Sequence, residues 1–227
     1  MITFKEVTLD TLERDSRDIE LYFRSPLTKT PPYPALPPKM LLLETLWTSA
    51  QCRGEATPES SRAFFCAGDD RRGPFAFVSG MWHPASQSAF VDLIFRRRDP
   101  VYLRQGAALL QYALRSLRTA GARDIYMPVP DPAAWRHGES PMPMQTARFL
   151  EWSLAQGFVK APHTYLAPLP DGSLKKGFLL LRHGGGTVSL AEATRAVRDE
   201  YRRFGISPLV ASEVVYGSAT FDHAKIH

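Results

Sequence analysis

A strand, a helix and a second strand follow one another between residues 88 and 129, and this run limits the folds open to the chain. The helix is predicted over residues 104–120, because Leu110, Ala113, Leu114 and Leu117 share one face and Gly121 stands at the stop position. Strand-like residues flank it at 88–95 and 122–129. A crossover helix returns the chain in the same direction, so we expect two parallel neighbouring strands.

The segments on either side of this run predict antiparallel pairing. Before it, turn residues separate strand-like runs at 62–67, 75–82 and 88–95, which is typical of a meander. After it come a helix at 145–156 and strand-like runs at 158–167 and 175–182. The fold class predicted is therefore mixed α/β, mostly antiparallel with one parallel βαβ crossover.

The last part of the chain predicts an added helix. Ser189 and Glu192 form a capping-box pattern ahead of an apolar stripe that ends at Gly205, and a strand-like run follows at 208–216. We therefore divide the chain into a domain at 1–182 and a C-terminal extension at 183–227. The extension either covers its own sheet or crosses to a second copy, and the glycines before it favour the second arrangement, a homodimer.

Composition excludes several classes of protein. No apolar run approaches the ~18 residues of a membrane span, and the first residues lack the apolar segment of a secretory signal, so we expect a cytoplasmic protein. Two cysteines, Cys52 and Cys66, have neither a disulfide framework nor metal-site spacing, and no metal is expected. The net charge of +5 favours anionic partners such as phosphorylated cofactors, acyl carrier proteins or RNA.

Two segments carry a resemblance to a known family. The first consists of residues 106–110, a helix that ends at Gly121-Ala122, and the strand at 123–127. The second consists of residues 146–151 and continues to 156–159. In this order they resemble the GNAT superfamily of N-acyltransferases over roughly residues 2–182. The resemblance implies two parallel strands that splay apart in a V, with the thioester arm of the acyl donor in the opening.

The resemblance also implies a donor site at the turn before the helix, where backbone amides and the helix dipole hold a pyrophosphate. One glycine of the family pattern is missing. Either Arg104 stands at the first glycine and Val101 at the Arg or Gln position, or Arg104-Gln105-Gly106 matches Arg-x-Gly in a loop two residues short. The donor-binding residues implied lie on the splayed strand and at the start of the helix: Leu93, Ile94, Phe95, Arg98, Arg104, Gln105, Gly106, Ala107 and Ala108.

Catalytic residues follow from the same resemblance. Asp92 lies where the family often carries a base that takes the amine proton directly or through water. Ser153 falls where the family has a tyrosine acid, so the usual acid is absent. His83 and His137 are other possible bases. The acceptor side is predicted to involve two proline-rich loops, 25–39 and 130–144, and the side chains of His83, Tyr126, Trp135 and Met142.

The function predicted is transfer of an acyl group from a pantetheine thioester, acyl-CoA (acetyl-CoA) by default, to an amine of a small molecule. Two alternatives stay open. The acyl donor could be an acyl carrier protein or an aminoacyl-tRNA, or the chain could be a GNAT-like binding domain without catalysis.

Overall fold

The structure is a computed structural model that describes residues 1–7, 60–70, 73–96, 104–134, 143–168, 174–184, 186–187 and 189–207. The strands are β1 Ile2–Glu6, β2 Ser61–Asp69, β3 Gly73–His83, β4 Ser88–Arg96, β5 Asp124–Pro130, β6 Phe158–Pro168 and β7 Leu174–His183. The helices are α1 Gln105–Thr119, α2 Pro143–Ala155 and α3 Leu190–Arg203.

These strands form one sheet in the order β1-β2-β3-β4-β5-β7-β6. Among the described strands, β4 and β5 are parallel and every other neighbouring pair is antiparallel. The crossover helix α1 connects the two parallel strands. The predicted fold class, including the meander and the single βαβ unit, is confirmed.

Helix α1 lies on one face of the sheet, and its buried residues share the core with β2 to β5. It approaches β3 closely at Gly80, where a β-carbon would lie 3.1 Å from Leu117 Cδ1. The helix ends as predicted: Gly121 has φ +109°, and the amide of Ala122 donates to the carbonyl of Leu117 at 3.0 Å. This Schellman pairing uses the left-handed conformation that glycine adopts without strain.

Helix α3 covers the other face. Ala196, Val197 and Tyr201 are buried against Phe90 and the inner residues of β5, β6 and β7. The capping box is present, with the Ser189 hydroxyl accepting from the Glu192 amide and the Glu192 side chain accepting from the Ser189 amide. The helix of the extension therefore packs on the sheet of its own chain, which is one of the two predicted arrangements. Its crossing to a second copy, and with it a homodimer, stays a prediction.

Several sequence predictions fall outside the described residues: the proline-rich loop at 25–39, residues 135–142 of the second proline-rich loop and the strand at 208–216. Cys66 is buried, whereas Cys52 lies outside the described part. No helix in the described ranges is long and apolar enough to cross a bilayer. No cluster of three or more potential metal ligands occurs in those ranges either.

Candidate functional site

The parallel strands β4 and β5 separate soon after they meet. They pair at three positions, from Ser88 with Asp124 to Phe90 with Tyr126, although β4 continues to Arg96 and β5 to Pro130. Prolines favour strand edges because they lack an amide donor, and Pro128 and Pro130 lie in the part of β5 that has left β4. The predicted V-shaped splay is confirmed, and its vertex is the Phe90–Tyr126 pair.

A bulge in β4 places Asp92 just beyond this vertex. Opposite β3, Gly80 pairs with Val91 and Ser79 pairs with Leu93, so Asp92 is the extra residue between them. A bulge locally redirects side chains and increases the twist of the strand. The carboxylate predicted to be the base therefore lies where β4 both bends and leaves its neighbour.

The Asp92 carboxylate is held by an arginine from two strands away. Arg62 Nη1 of β2 donates to both carboxylate oxygens, at 2.9 and 2.7 Å, and also to Ser79 Oγ on β3. The Arg62 side chain is 0% exposed and that of Asp92 is 6% exposed. The site thus contains a buried ion pair that spans β2, β3 and β4.

A second buried polar cluster lies between the sheet and α3. His83 Nε2 is 2.9 Å from Glu200 Oε2, and Arg203 Nη2 donates to Glu200 Oε1 at 3.3 Å. Burial by itself raises the pKa of Glu200, but Arg203, His83 and Arg62 together outweigh it and hold that pKa at about 2. The His83 ring also meets Phe90 edge to face, with centroids 5.9 Å apart. Helix α3 is therefore connected to the vertex through His83.

The start of α1 has no capping bond from its N-cap side chain. The N-cap residue is Arg104, and the first turn contains no acidic residue. The first four amides of a helix have no partner within the helix, and they favour an anion. Gly106 is buried and Gln105 is half-buried. The residues predicted to bind the pyrophosphate thus lie at a helix N-terminus that no side chain of the described residues is seen to cap.

The remaining donor-binding residues lie on or after β4. Ile94 is half-buried against the α1 core. Leu93 and Phe95 belong to β4, while their side chains are outside the described part, as is all of Arg98. Their predicted contacts with the donor stay predictions.

Ser153 lies in α2 with its hydroxyl engaged. Its Oγ donates to the carbonyl of Phe149 at 2.8 Å, and the residue is fully buried. Such a bond to the preceding turn is common for a serine within a helix. A catalytic role for Ser153 stays a prediction, and it would require this hydroxyl to turn away from Phe149.

Of the residues predicted to contact the acceptor, His83 and Tyr126 are in the described part, whereas Trp135, Met142 and the alternative base His137 are outside it. His83 is buried in its pair with Glu200. Tyr126 is fully buried with its ring stacked on Phe90, centroids 5.4 Å apart. Burial also raises the pKa of Tyr126. Their role toward a substrate stays a prediction.

The Tyr126 hydroxyl makes no hydrogen bond to the residues that the structure describes. A buried hydroxyl without a partner destabilises the folded state, so Tyr126→Phe is expected to leave stability unchanged or raise it by about 1 kcal/mol. The matched control is Tyr201→Phe, because Tyr201 Oη donates to the carbonyl of Leu166 at 2.6 Å. That change is expected to lower stability by about 1 kcal/mol. Urea unfolding of the three proteins measures both effects, and a loss at Tyr126 as large as that at Tyr201 would show that its hydroxyl is bonded.

Neither the family models nor the curated proteins contain a match to the sequence. Solved structures do match it. One is a protein assigned to the GNAT family of acetyltransferases from Desulfovibrio desulfuricans, with 16% identity and a TM-score of 0.54, covering 80% of this chain and 98% of that one. Another is a tandem GNAT protein from the clavulanic acid biosynthesis pathway, with 15% identity and a TM-score of 0.51.

The match to the tandem protein covers 72% of this chain and 46% of that one, so this chain spans about half its length. At such low identities the likeness concerns the fold. The chain has the fold of the GNAT superfamily, as its sequence pattern predicts.

Proposed function

We propose that this protein is an N-acyltransferase that moves an acyl group from acyl-CoA to an amine of a small molecule. The observation that carries the proposal is the splay of β4 from β5 after Phe90, with the N-terminus of α1 following β4. This arrangement leaves one backbone edge of β4 without its parallel neighbour, next to a helix N-terminus suited to phosphate. The acetyltransferase named for the Desulfovibrio structure is consistent with it.

The residues present suit a phosphorylated pantetheine donor. The donor arm would lie along the open edge of β4 beyond Phe90, and its pyrophosphate would meet the amides of Gln105, Gly106, Ala107 and Ala108. No acid in the first turn opposes the phosphate charge. Arg104 stands at the N-cap and supplies a nearby positive charge in place of a family glycine.

The chemistry is acyl transfer by direct attack. The amine nitrogen forms a bond to the thioester carbonyl carbon, the carbon–sulfur bond breaks, and the thiolate of CoA leaves. Asp92 receives the amine proton directly or through a water molecule, since the carboxylate keeps lone pairs beyond those facing Arg62. Ser153 stands at the position of the family's tyrosine acid, and we keep its part in this step as a prediction. No metal takes part in this scheme.

The alternatives concern the donor and the class of protein. An acyl carrier protein or an aminoacyl-tRNA is the alternative donor, favoured by the incomplete glycine pattern and the arginine-rich composition. A binding domain without catalysis is the alternative class. We place the protein in the cytoplasm, with a homodimer as its proposed assembly.

Calorimetry with acetyl-CoA and longer acyl-CoAs, followed by thiol release in the presence of polyamines, amino acids and aminoglycosides, tests the proposal. We expect acyl-CoA to bind and free CoA to appear only when an amine is present, with intact mass confirming the acylated amine. Binding without transfer to any amine would favour the non-catalytic alternative. If acyl-CoA does not bind but a loaded carrier protein or tRNA supports transfer, the donor is that carrier and not acyl-CoA.

The donor site is tested more directly by Gln105→Glu. A carboxylate in the first turn interacts favourably with the helix dipole, so the protein should gain about 0.3–1 kcal/mol of stability. The same charge repels the pyrophosphate, so the Kd for acyl-CoA should rise by about tenfold or more. Thermal unfolding and calorimetry measure these opposite effects.

The control for Gln105→Glu is Arg115→Gln, which also lowers the charge of α1 by one unit. Arg115 is exposed and lies about 15 Å farther along the helix. The Kd of the Arg115→Gln variant for acyl-CoA should change by less than about twofold at physiological ionic strength, because salt screens a charge at this distance. Equal effects of the two variants on the Kd for acyl-CoA would mean that the pyrophosphate does not bind at the start of α1.

A further inference from the structure

The proposed reaction gives no role to the buried guanidinium of Arg62. Arg62 lies on β2, separated by β3 from the strand that carries Asp92, and its side chain is 0% exposed. A buried guanidinium is unfavourable unless it is closely paired. Its Nη1 donates to Asp92 and Ser79, so this nitrogen is directed at the bulge in β4.

The contacts restrict the orientation of the Asp92 carboxylate. Both of its oxygens bond to the same nitrogen, Arg62 Nη1, and Ser79 Oγ accepts from that nitrogen as well. Three strands therefore determine where one carboxylate lies. A proton acceptor that is misplaced by about 1 Å loses much of its efficiency, so such restraint matters for a base.

Groups near the Arg62–Asp92 pair also contact Phe90, which lies at the vertex of the V. Glu200 lies close enough to Arg62 for the arginine to lower its pKa, and Glu200 holds His83 against Phe90. Arg62 of β2 thus bonds to Asp92 of β4 and also lies near Glu200 of α3, which contacts His83 and Arg203.

We propose that Arg62 is a positioning residue that holds the Asp92 carboxylate at the β4 bulge in the orientation needed to accept the amine proton. This inference rests on the proposed N-acyltransferase function. Arg62 acts through Asp92 and touches neither donor nor acceptor.

A double-mutant cycle tests the inference, with kcat, KM for the amine and Kd for acyl-CoA measured on the full-length protein. The variants are Arg62→Met, Arg62→Lys, Asp92→Asn and the double variant Arg62→Met/Asp92→Asn. The matched control is Arg195→Met, which removes a positive charge from the exposed face of α3.

Arg62→Met is expected to lower kcat by about 10²-fold, nearly as much as Asp92→Asn, with the Kd for acyl-CoA changed less than about twofold. Arg62→Lys should recover about tenfold of that loss, because it keeps the charge but not the planar group. In the Asp92→Asn background, Arg62→Met should change kcat by less than about twofold, since residues that act through one another are not additive. Arg195→Met should leave all three quantities unchanged.

Additive losses in the double variant would overturn the positioning role, and so would an Arg62→Met protein with wild-type kcat. If Arg62→Met is recovered only as aggregate, the same cycle is run with Arg62→Lys, and additivity there has the same meaning. A wild-type protein that binds acyl-CoA but transfers to no amine would instead refute the proposed function, and the inference with it.

Discussion

Replacing Asp92 by asparagine is expected to lower kcat for acyl transfer by about 10²-fold or more at neutral pH. Asparagine keeps the shape of the side chain and can still accept from Arg62 Nη1, which bonds to both carboxylate oxygens in the wild type. It cannot accept the proton that the amine loses. The effect should therefore fall on kcat, while the Kd for acyl-CoA should change less than about twofold.

Asp124→Asn is the matched control for this prediction. Asp124 is also an ion-paired carboxylate of the parallel strands, 2.7 Å from Arg182 Nη2, but it lies at the closed end of the V. Its replacement should leave kcat within about threefold of the wild type, because it lies away from the splay. A small loss at Asp92 would mean that the base is another group or that the amine arrives already neutral. Repeating the assay above the pKa of the free amine separates these two outcomes.

Removing the Glu200 carboxylate is expected to lower the stability of the folded protein more than any other substitution proposed for this protein. Glu200→Ala should lower the free energy of unfolding by about 3–5 kcal/mol at neutral pH, because Arg203 and His83 then lose a buried partner. Urea denaturation measures the change. Asp199→Asn is the control, since Asp199 forms a pair at 3.8 Å with the half-exposed Arg202. Such surface pairs contribute about 0–1 kcal/mol.

The pH dependence of stability should report on the same carboxylate. The folded-state pKa of Glu200 is lowered from 4.5 to about 2. Its contribution to stability is therefore fully present above pH 4.5 and is lost as the pH falls toward 2. In Glu200→Gln this contribution is absent, so stability should fall less steeply over that interval than in the wild type. Parallel slopes for the two proteins would contradict the lowered pKa.

Most of the fold could be predicted from sequence because its signals are local. The apolar spacing of α1 and the glycine at 121 predict the helix and its end, and the strand-like runs on both sides predict the parallel pair. The capping box of α3 is likewise a pattern of four residues. Each of these features is determined by neighbours along the chain, where the sequence can be read directly.

The direction in which α3 packs could not be predicted in this way. Its apolar stripe requires burial but does not indicate which surface provides it. The structure places the stripe on β4 to β7 of the same chain, where Tyr201 reaches the carbonyl of Leu166. A glycine-rich connection favoured exchange between copies, yet Glu200 also finds a buried partner, His83, within its own chain. This complementarity is a property of the assembled core.

The sequence alone determined the mixed α/β fold, the GNAT-like order of elements, and the positions of Asp92 and of the helix that begins at Gln105. The fold follows from hydrophobic period and end signals, which act within a few residues, whereas the GNAT-like order and the choice of Asp92 rest on the family resemblance. Only the tertiary structure decided what surrounds that carboxylate. Arg62 and Asp92 are 30 residues apart and His83 and Glu200 are 117 apart, and no local pattern links either pair. Buried charges are stable only beside a partner, so the packing of β2, β3, β4 and α3 decided which charges meet at the site.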